Sequence, residues 1–173
     1  MRTNMSRSSW VGCLLGGVLL VTVLTGTGCA HTIQGRVLEA EIGKPIAGAV
    51  VLGVWTKSVG LLLTHWELLG VREAETDAEG RFVLEQLGGM FVQERITVYK
   101  FGYIAWSNRF IFDGPSGNRA NHEVPPEIRL EHFPVGGSHK AHMEFIDLAT
   151  SSAASHGAWV KFRETIRQEE KMR

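Results

Sequence analysis

The stretch "ETDAEGRFVLEQL", residues 75–87, constrains the fold more than any other. It sets a polar, glycine-containing turn directly before an alternation in which Phe82 and Leu84 are apolar while Arg81 and Glu85 are polar. Period two is the mark of a strand with one buried face. The segment before it, residues 67–76, is strand-like as well, so the region reads as two strands joined by a four-residue turn. The turn also carries Asp77 and Glu79 beside Gly80, which raises the question of a calcium loop. A helix-loop-helix calcium site draws oxygen ligands from about twelve residues and ends on a bidentate glutamate. Counted from Asp77, the fifth position is Arg81 and the twelfth is Gly88, so the pattern fails. The reading that fits has Asp77 bonding the backbone of its own turn, Gly80 taking a positive φ, and Phe82 entering the core.

The same rhythm extends in both directions. Ile33, Gly35 and Val37 alternate with polar neighbours, and Gly43, Pro45 and Gly48 form a turn cluster. Residues 49–55, "AVVLGVW", are β-branched and aromatic, which predicts a central strand. Residues 58–70, "SVGLLLTHWELLG", are apolar without regular alternation and read as a long loop over the sandwich end or a short helix. Ile96 and Val98 set another strand, Gly102 a corner, and Ile104, Trp106, Phe110 and Phe112 a further strand. A Gly-, Pro- and Asn-rich loop over 113–126 precedes a closing strand with Ile128, Leu130 and Phe133. Six or seven short strands cut by turns predict a mainly β fold, a seven-stranded antiparallel β-sandwich.

After Pro134 the pattern changes. Phe145, Leu148 and Ala149 fall at helical spacing, as do Trp159, Phe162 and Ile166. Ser138 is the expected N-cap, and Ser155-His156-Gly157 the weak point between two helical segments. Their apolar faces need a surface to bury against, and the sandwich supplies it. The expected organisation is an export segment over 1–28, the sandwich over 29–134 and a C-terminal α-helical appendage over 135–173.

Four pieces in order carry a resemblance. They are Gly35 and Val37; Gly43, Pro45, Gly48, Ala49 and Val51; Thr76, Asp77, Gly80 and Phe82; and Gly102-Tyr103. Over roughly residues 33–106 the chain resembles the carboxypeptidase regulatory-like domain, a transthyretin-like (prealbumin-like) β-sandwich grouped with starch-binding-like folds. The 57–70 insertion and the C-terminal helices depart from that pattern. The resemblance implies a binding, spacer or structural module of bacterial envelope proteins. It implies no active site, because the domain accompanies a zinc carboxypeptidase without carrying its catalytic residues.

The N-terminus gives the expected address. Arg2 and Arg7 precede an apolar run of about 15 residues, shorter than the ~20 that span a bilayer as a helix. Small residues follow, the order of an export signal. Gly28-Cys29 resembles the end of a lipobox, in which the cysteine is lipidated, although Gly26 replaces the usual aliphatic residue. Ordinary cleavage after Ala30 is the alternative, and it would give a soluble periplasmic or secreted protein. Lipidation of Cys29 predicts a membrane anchor, with the outer membrane facing the periplasm as the favoured site.

Cys13 lies within the signal, so no thiol pair remains for a disulfide or a cysteine-based metal site. Of 18 basic residues Arg2 and Arg7 leave with the signal while the 18 acidic ones stay, so the mature charge is about −2. That balance offers no footprint for nucleic acid and no polybasic membrane segment.

Chemistry-bearing residues are few. No cofactor and no catalytic constellation is expected, since no serine sits in a nucleophile elbow. His139 and His142 share a helical face and are weak candidates for a metal pair, with His132 or His156 nearest in sequence for a third ligand. The alternative reading makes them surface histidines on a solvent-facing helix. His65 and Trp66, with Leu61–Leu63, form a candidate contact patch for a glycan or an envelope protein, the alternative being loop packing. Glu73 and Glu75 share a strand face and read as solvated. The expected function is therefore binding or scaffolding without catalysis. A carbohydrate or cell-wall glycan binder and a metal-binding accessory stand as alternatives.

Overall fold

The apolar run 49–55 becomes the centre of a three-layer arrangement. The computed structural model describes residues 31–60, 64–112, 123–153, 157 and 159–172. The export segment, Cys29, Leu61–Leu63, His122 and His156 lie outside these. The strands are β1 (Thr32–Glu39), β2 (Val50–Val59), β3 (His65–Glu75), β4 (Arg81–Glu85), β5 (Val92–Tyr99), β6 (Trp106–Ser107) and β7 (Glu127–Leu130). They form a three-stranded sheet, β4-β1-β7, and a four-stranded sheet, β3-β2-β5-β6. Two C-terminal helices follow, α1 (His139–Thr150) and α2 (Val160–Glu170), joined through a 3-10 turn at Ser151–Ala153.

β2 is apolar on both faces because both are covered. Val51 and Trp55 point into the sandwich interior with Val37, Phe82, Leu84, Ile96, Val98, Ile128 and Leu130. Val50, Leu52 and Val54 point the other way, into a second core with Met143 and Ile146 of α1 and Phe162 and Ile166 of α2. The helical stripes thus bury on the outer face of the four-stranded sheet. Gly53 is required by packing, because a Cβ there would lie 2.4 Å from the Trp55 ring. Period-two alternation is realised in β4, where Phe82 and Leu84 are buried and Val83 is 61% exposed.

The polar turn at 76–80 behaves as the sequence suggests, in a different place. β3 and β4 belong to different sheets, so the turn is a crossing between layers, not a hairpin. Asp77 Oδ1 accepts hydrogen bonds from the backbone N–H of Glu79 (3.0 Å) and Arg81 (2.7 Å). Gly80 has φ +72°, and a Cβ there would meet the Val37 carbonyl at 2.5 Å. Thr76 is buried, donates its hydroxyl to Ile46 O (2.7 Å) and accepts from Ala49 N–H (2.8 Å). The Thr76-to-Gly80 segment therefore pins the Pro45-to-Ala49 turn, which explains why those two motifs occur together.

Four expectations are corrected. Residues 58–59 and 65–70 are strand, not loop or helix: β2 continues to Val59 and pairs with β3 to the register Val59↔His65, with a bulge at Trp55/Thr56. The sandwich is not wholly antiparallel, since β1 and β7 pair in parallel from Arg36↔Glu127 to Glu39↔Leu130. A chain returning from the other sheet is not bound to the direction a hairpin imposes. Phe110 and Phe112 do not extend β6, which ends at Ser107; their rings pack against the helix-side core instead. Glu73 is not simply solvated, because its carboxylate accepts the backbone N–H of Phe162 (2.7 Å) and Lys161 (3.2 Å).

Candidate functional site

The predicted site residues fall into two places. His65 and Trp66 open β3, opposite Val59 and Ser58 of β2. β5 accompanies β2 as far as Lys57↔Val92, and Ser58 N–H still bonds Phe91 O (3.1 Å), so the end of the β2–β3 pair runs past β5 as a short two-stranded arm. Trp66 is 53% exposed. His65 Nε2 lies 3.1 Å from Glu67 Oε1, a polar pair on the strand face opposite the indole. Leu68, two residues along, turns down against the helix-side core and fixes the arm's base.

His139 and His142 are the second place, and the reading of both as surface histidines on a solvent-facing helix is corrected. Ser138 caps α1, its Oγ accepting from Ala141 N–H (3.2 Å). The first turn then carries both histidines toward α2, and His142 is fully buried. They meet Glu169, which continues the buried stripe of Phe162 and Ile166 and is itself 1% exposed. Glu169 Oε1 accepts from His142 Nδ1 (3.2 Å) and from His139 Nδ1, and Oε2 accepts from the Tyr99 hydroxyl (2.8 Å). The backbone N–H of Ala105 donates to His142 Nε2 (2.9 Å). That donor fixes the tautomer: Nε2 is the acceptor and the proton sits on Nδ1, facing the carboxylate.

The electrostatics follow from burial and these bonds. Burial pushes the His142 pKa down, with the neighbouring His139 acting the same way against the opposing pull of Glu169. Burial alone would raise the Glu169 carboxyl, yet hydrogen bonds from His139, Tyr99 and His142 outweigh it and hold the pKa below the ordinary value. The Tyr99 hydroxyl is pushed up, first by burial and then by its bond to Glu169 and that residue's charge. The group is thus a neutral imidazole, an ionised carboxylate and a neutral phenol, enclosed by aromatic rings. Phe133 stacks on His139 (4.5 Å between centroids) and Phe112 sits edge-on to His142 (5.0 Å).

Chemically this cluster holds α1, α2 and β5 together. Both His142 nitrogens are committed to hydrogen bonds, so a metal pair on His139 and His142 would have to break the bond to Ala105 or to Glu169. His132, the other proposed contributor, stacks on Tyr103 (4.5 Å) instead. The Tyr103 hydroxyl donates to Glu39 Oε1 (2.8 Å), and its pKa is raised to about 12, by burial first and then by that bond.

Sequence reasoning missed Glu169 and Glu73. Glu169 had a signal: it is a carboxylate on an otherwise apolar stripe, three residues after Ile166. Glu73 had none, because its targets are backbone groups 88 and 89 residues away.

Fold and site together define a mainly β protein of two sheets, three- and four-stranded, backed by two C-terminal helices. Comparison with protein-family models, with curated proteins and with solved structures gives no match. Among the described residues no helix is long and apolar enough to cross a membrane.

Proposed function

We propose that this chain is an exported envelope protein, anchored by lipid on Cys29, whose carboxypeptidase regulatory-like sandwich presents the β2–β3 arm to a binding partner and performs no catalysis. The observation that carries the binding reading is the arm itself. It sets a half-exposed indole on the edge strand of the four-stranded sheet, an apolar surface open to a partner. The motif order described above supports the domain assignment, and the export signal with Gly28-Cys29 supports the address.

A glycan is the second reading, favoured by one detail. Trp66 offers a flat, half-exposed apolar face, the platform on which a sugar ring stacks. Binding of purified cell-wall glycan and of soluble oligosaccharides to the protein and to Trp66→Ala tests it. At least a roughly tenfold weakening, worth about 1.4 kcal/mol, is expected for a stacked anchor. Unchanged retention by every glycan would rule the sugar reading out and leave a protein partner, read by cross-linking from a photoreactive group at position 66. The anchor has its own test: intact-mass measurement should show lipid on Cys29, lost in Cys29→Ala. A mature N-terminus at His31 without lipid would overturn it.

A further inference from the structure

A second site lies on the helix-side face of the four-stranded sheet, at the base of the arm. Arg95 of β5 stands beside Val54 of β2, and Gln93 beside Thr56. These residues line one cleft together with Glu94, Arg109 just past β6, and Ser152 of the 3-10 turn. We propose that this cleft binds a dianionic oxyanion, phosphate or sulfate, either free or as the terminal ester of a larger molecule.

The two guanidiniums are held in place, Arg95 from outside the cleft and Arg109 by a residue of its wall. Arg95 Nη1 donates to Ser151 Oγ (3.2 Å), and its guanidinium lies over the Phe110 ring (5.2 Å). Arg109 Nη2 donates to Gln93 Oε1. Each fork keeps most of its five N–H donors uncommitted. Neither arginine has an ion-pair partner among the described residues. Glu94 does not serve, because strand alternation turns its side chain to the opposite face of the sheet, where its Oε2 accepts from Gln86 Nε2 at 2.9 Å. Burial and then the charge of Arg109 lower the Arg95 pKa, the signature of two like charges sharing a partly dry space. The chain as a whole has equal numbers of basic and acidic residues, so an uncompensated pair is a local choice.

Two fixed positive charges are matched by one double negative charge. The forks come from β5 and from the segment just past β6, and both line the one cleft. A tetrahedral dianion can meet both, whereas a planar monovalent carboxylate pairs with one fork. Thr56 and Ser152 add hydroxyls at the rim.

Isothermal titration of the purified full chain at pH 7.5 and constant ionic strength tests this. The probes are inorganic phosphate, sulfate and glucose 6-phosphate, with acetate and chloride as controls. Both dianions should bind and the controls should not. Arg109→Gln should weaken phosphate binding roughly tenfold or more, as expected for losing a charge-assisted bond. Arg109→Lys, which keeps the charge and loses the fork, should fall between the two. Arg95→Gln should weaken it too, with a thermal melt verifying that the protein is folded. Equal affinity for phosphate and the sugar ester supports a free anion, and tighter binding of the ester supports a larger ligand. Binding no stronger than that of acetate would overturn the site. So would phosphate affinity unchanged in both folded glutamine variants.

Discussion

Glu73 of β3 caps α2 from a distance: its carboxylate accepts the Phe162 N–H at 2.7 Å across 89 residues of sequence. The helix needs this, because Trp159 occupies its N-cap position and makes no side-chain cap bond. A carboxylate at a helix N-terminus satisfies orphan donors and complements the dipole. Glu73→Ala should therefore cost about 1 kcal/mol and lower the melting temperature by a few degrees. Glu75 is the control. It lies 3.6 Å from Lys161 Nζ in an exposed pair, so Glu75→Ala should change stability by less than about 0.5 kcal/mol. Equal effects of the two in chemical denaturation would refute the cap.

Glu169 makes a stronger prediction. Removing it leaves the Tyr99 hydroxyl and His142 Nδ1 with no acceptor inside the fold. Glu169→Ala should cost about 1–3 kcal/mol for each buried donor left unsatisfied. Glu169→Gln keeps the shape and an acceptor oxygen, so it should cost less. Urea unfolding followed by Trp fluorescence reads both, since Trp159 packs in the helix-side core. A Glu169→Ala midpoint within error of the parent would mean that the cluster contributes nothing.

Acid should loosen the helical layer. His142 has a lowered pKa in the fold, so the unfolded chain takes up its proton first as pH falls below about 6.5. Stability then declines with falling pH, because the unfolded state binds more protons than the native one. Protonation would also place a proton on Nε2 against the Ala105 N–H, donor facing donor. Glu169 acts in the same direction lower down. Its lowered pKa gives stability that is present above the ordinary carboxylate range and is lost as pH falls through the folded value. The charged group that faces His142 is Glu169, and its opposing pull does not reverse the lowering of the His142 pKa. The urea midpoint should fall between pH 7.5 and pH 5, and a flat midpoint across that range would contradict the buried neutral imidazole.

Much of this architecture is legible in the residues, and the exceptions share one cause. Phe82 and Leu84 alternate because one sheet face is buried, and β2 is uninterrupted because both of its faces are. Ser138 announces α1, and Gly80 the tight crossing. What escapes is whatever depends on partners distant in sequence. Period-two patterns do not say which sheet a strand joins, so the crossing at 76–80 looks like a hairpin and β7 looks antiparallel. The strand ends at 58–59 and 65–70 hide because the bulge at Trp55/Thr56 breaks the alternation. His139 and His142 were visible as a pair, but a helical spacing cannot tell whether solvent, metal or a buried glutamate faces it.

Thr76 offers the sharpest check on the motif that opened the sequence. Its hydroxyl donates to Ile46 O and accepts from Ala49 N–H, while its backbone pairs with Ala49 and Gly48. Valine has the same shape without the hydroxyl, so Thr76→Val removes both side-chain bonds and leaves buried backbone groups unpaired. The expected cost is about 1–3 kcal/mol. Thr76→Ser keeps the hydroxyl and should lose less, on the order of 1 kcal/mol for the missing methyl. Hydrogen exchange gives the local readout, because the Ala49 amide should lose protection in Thr76→Val and keep it in Thr76→Ser. If valine were as stable as threonine, the motif would be a matter of turn propensity alone, and the tie between the two turns would carry no weight in the fold.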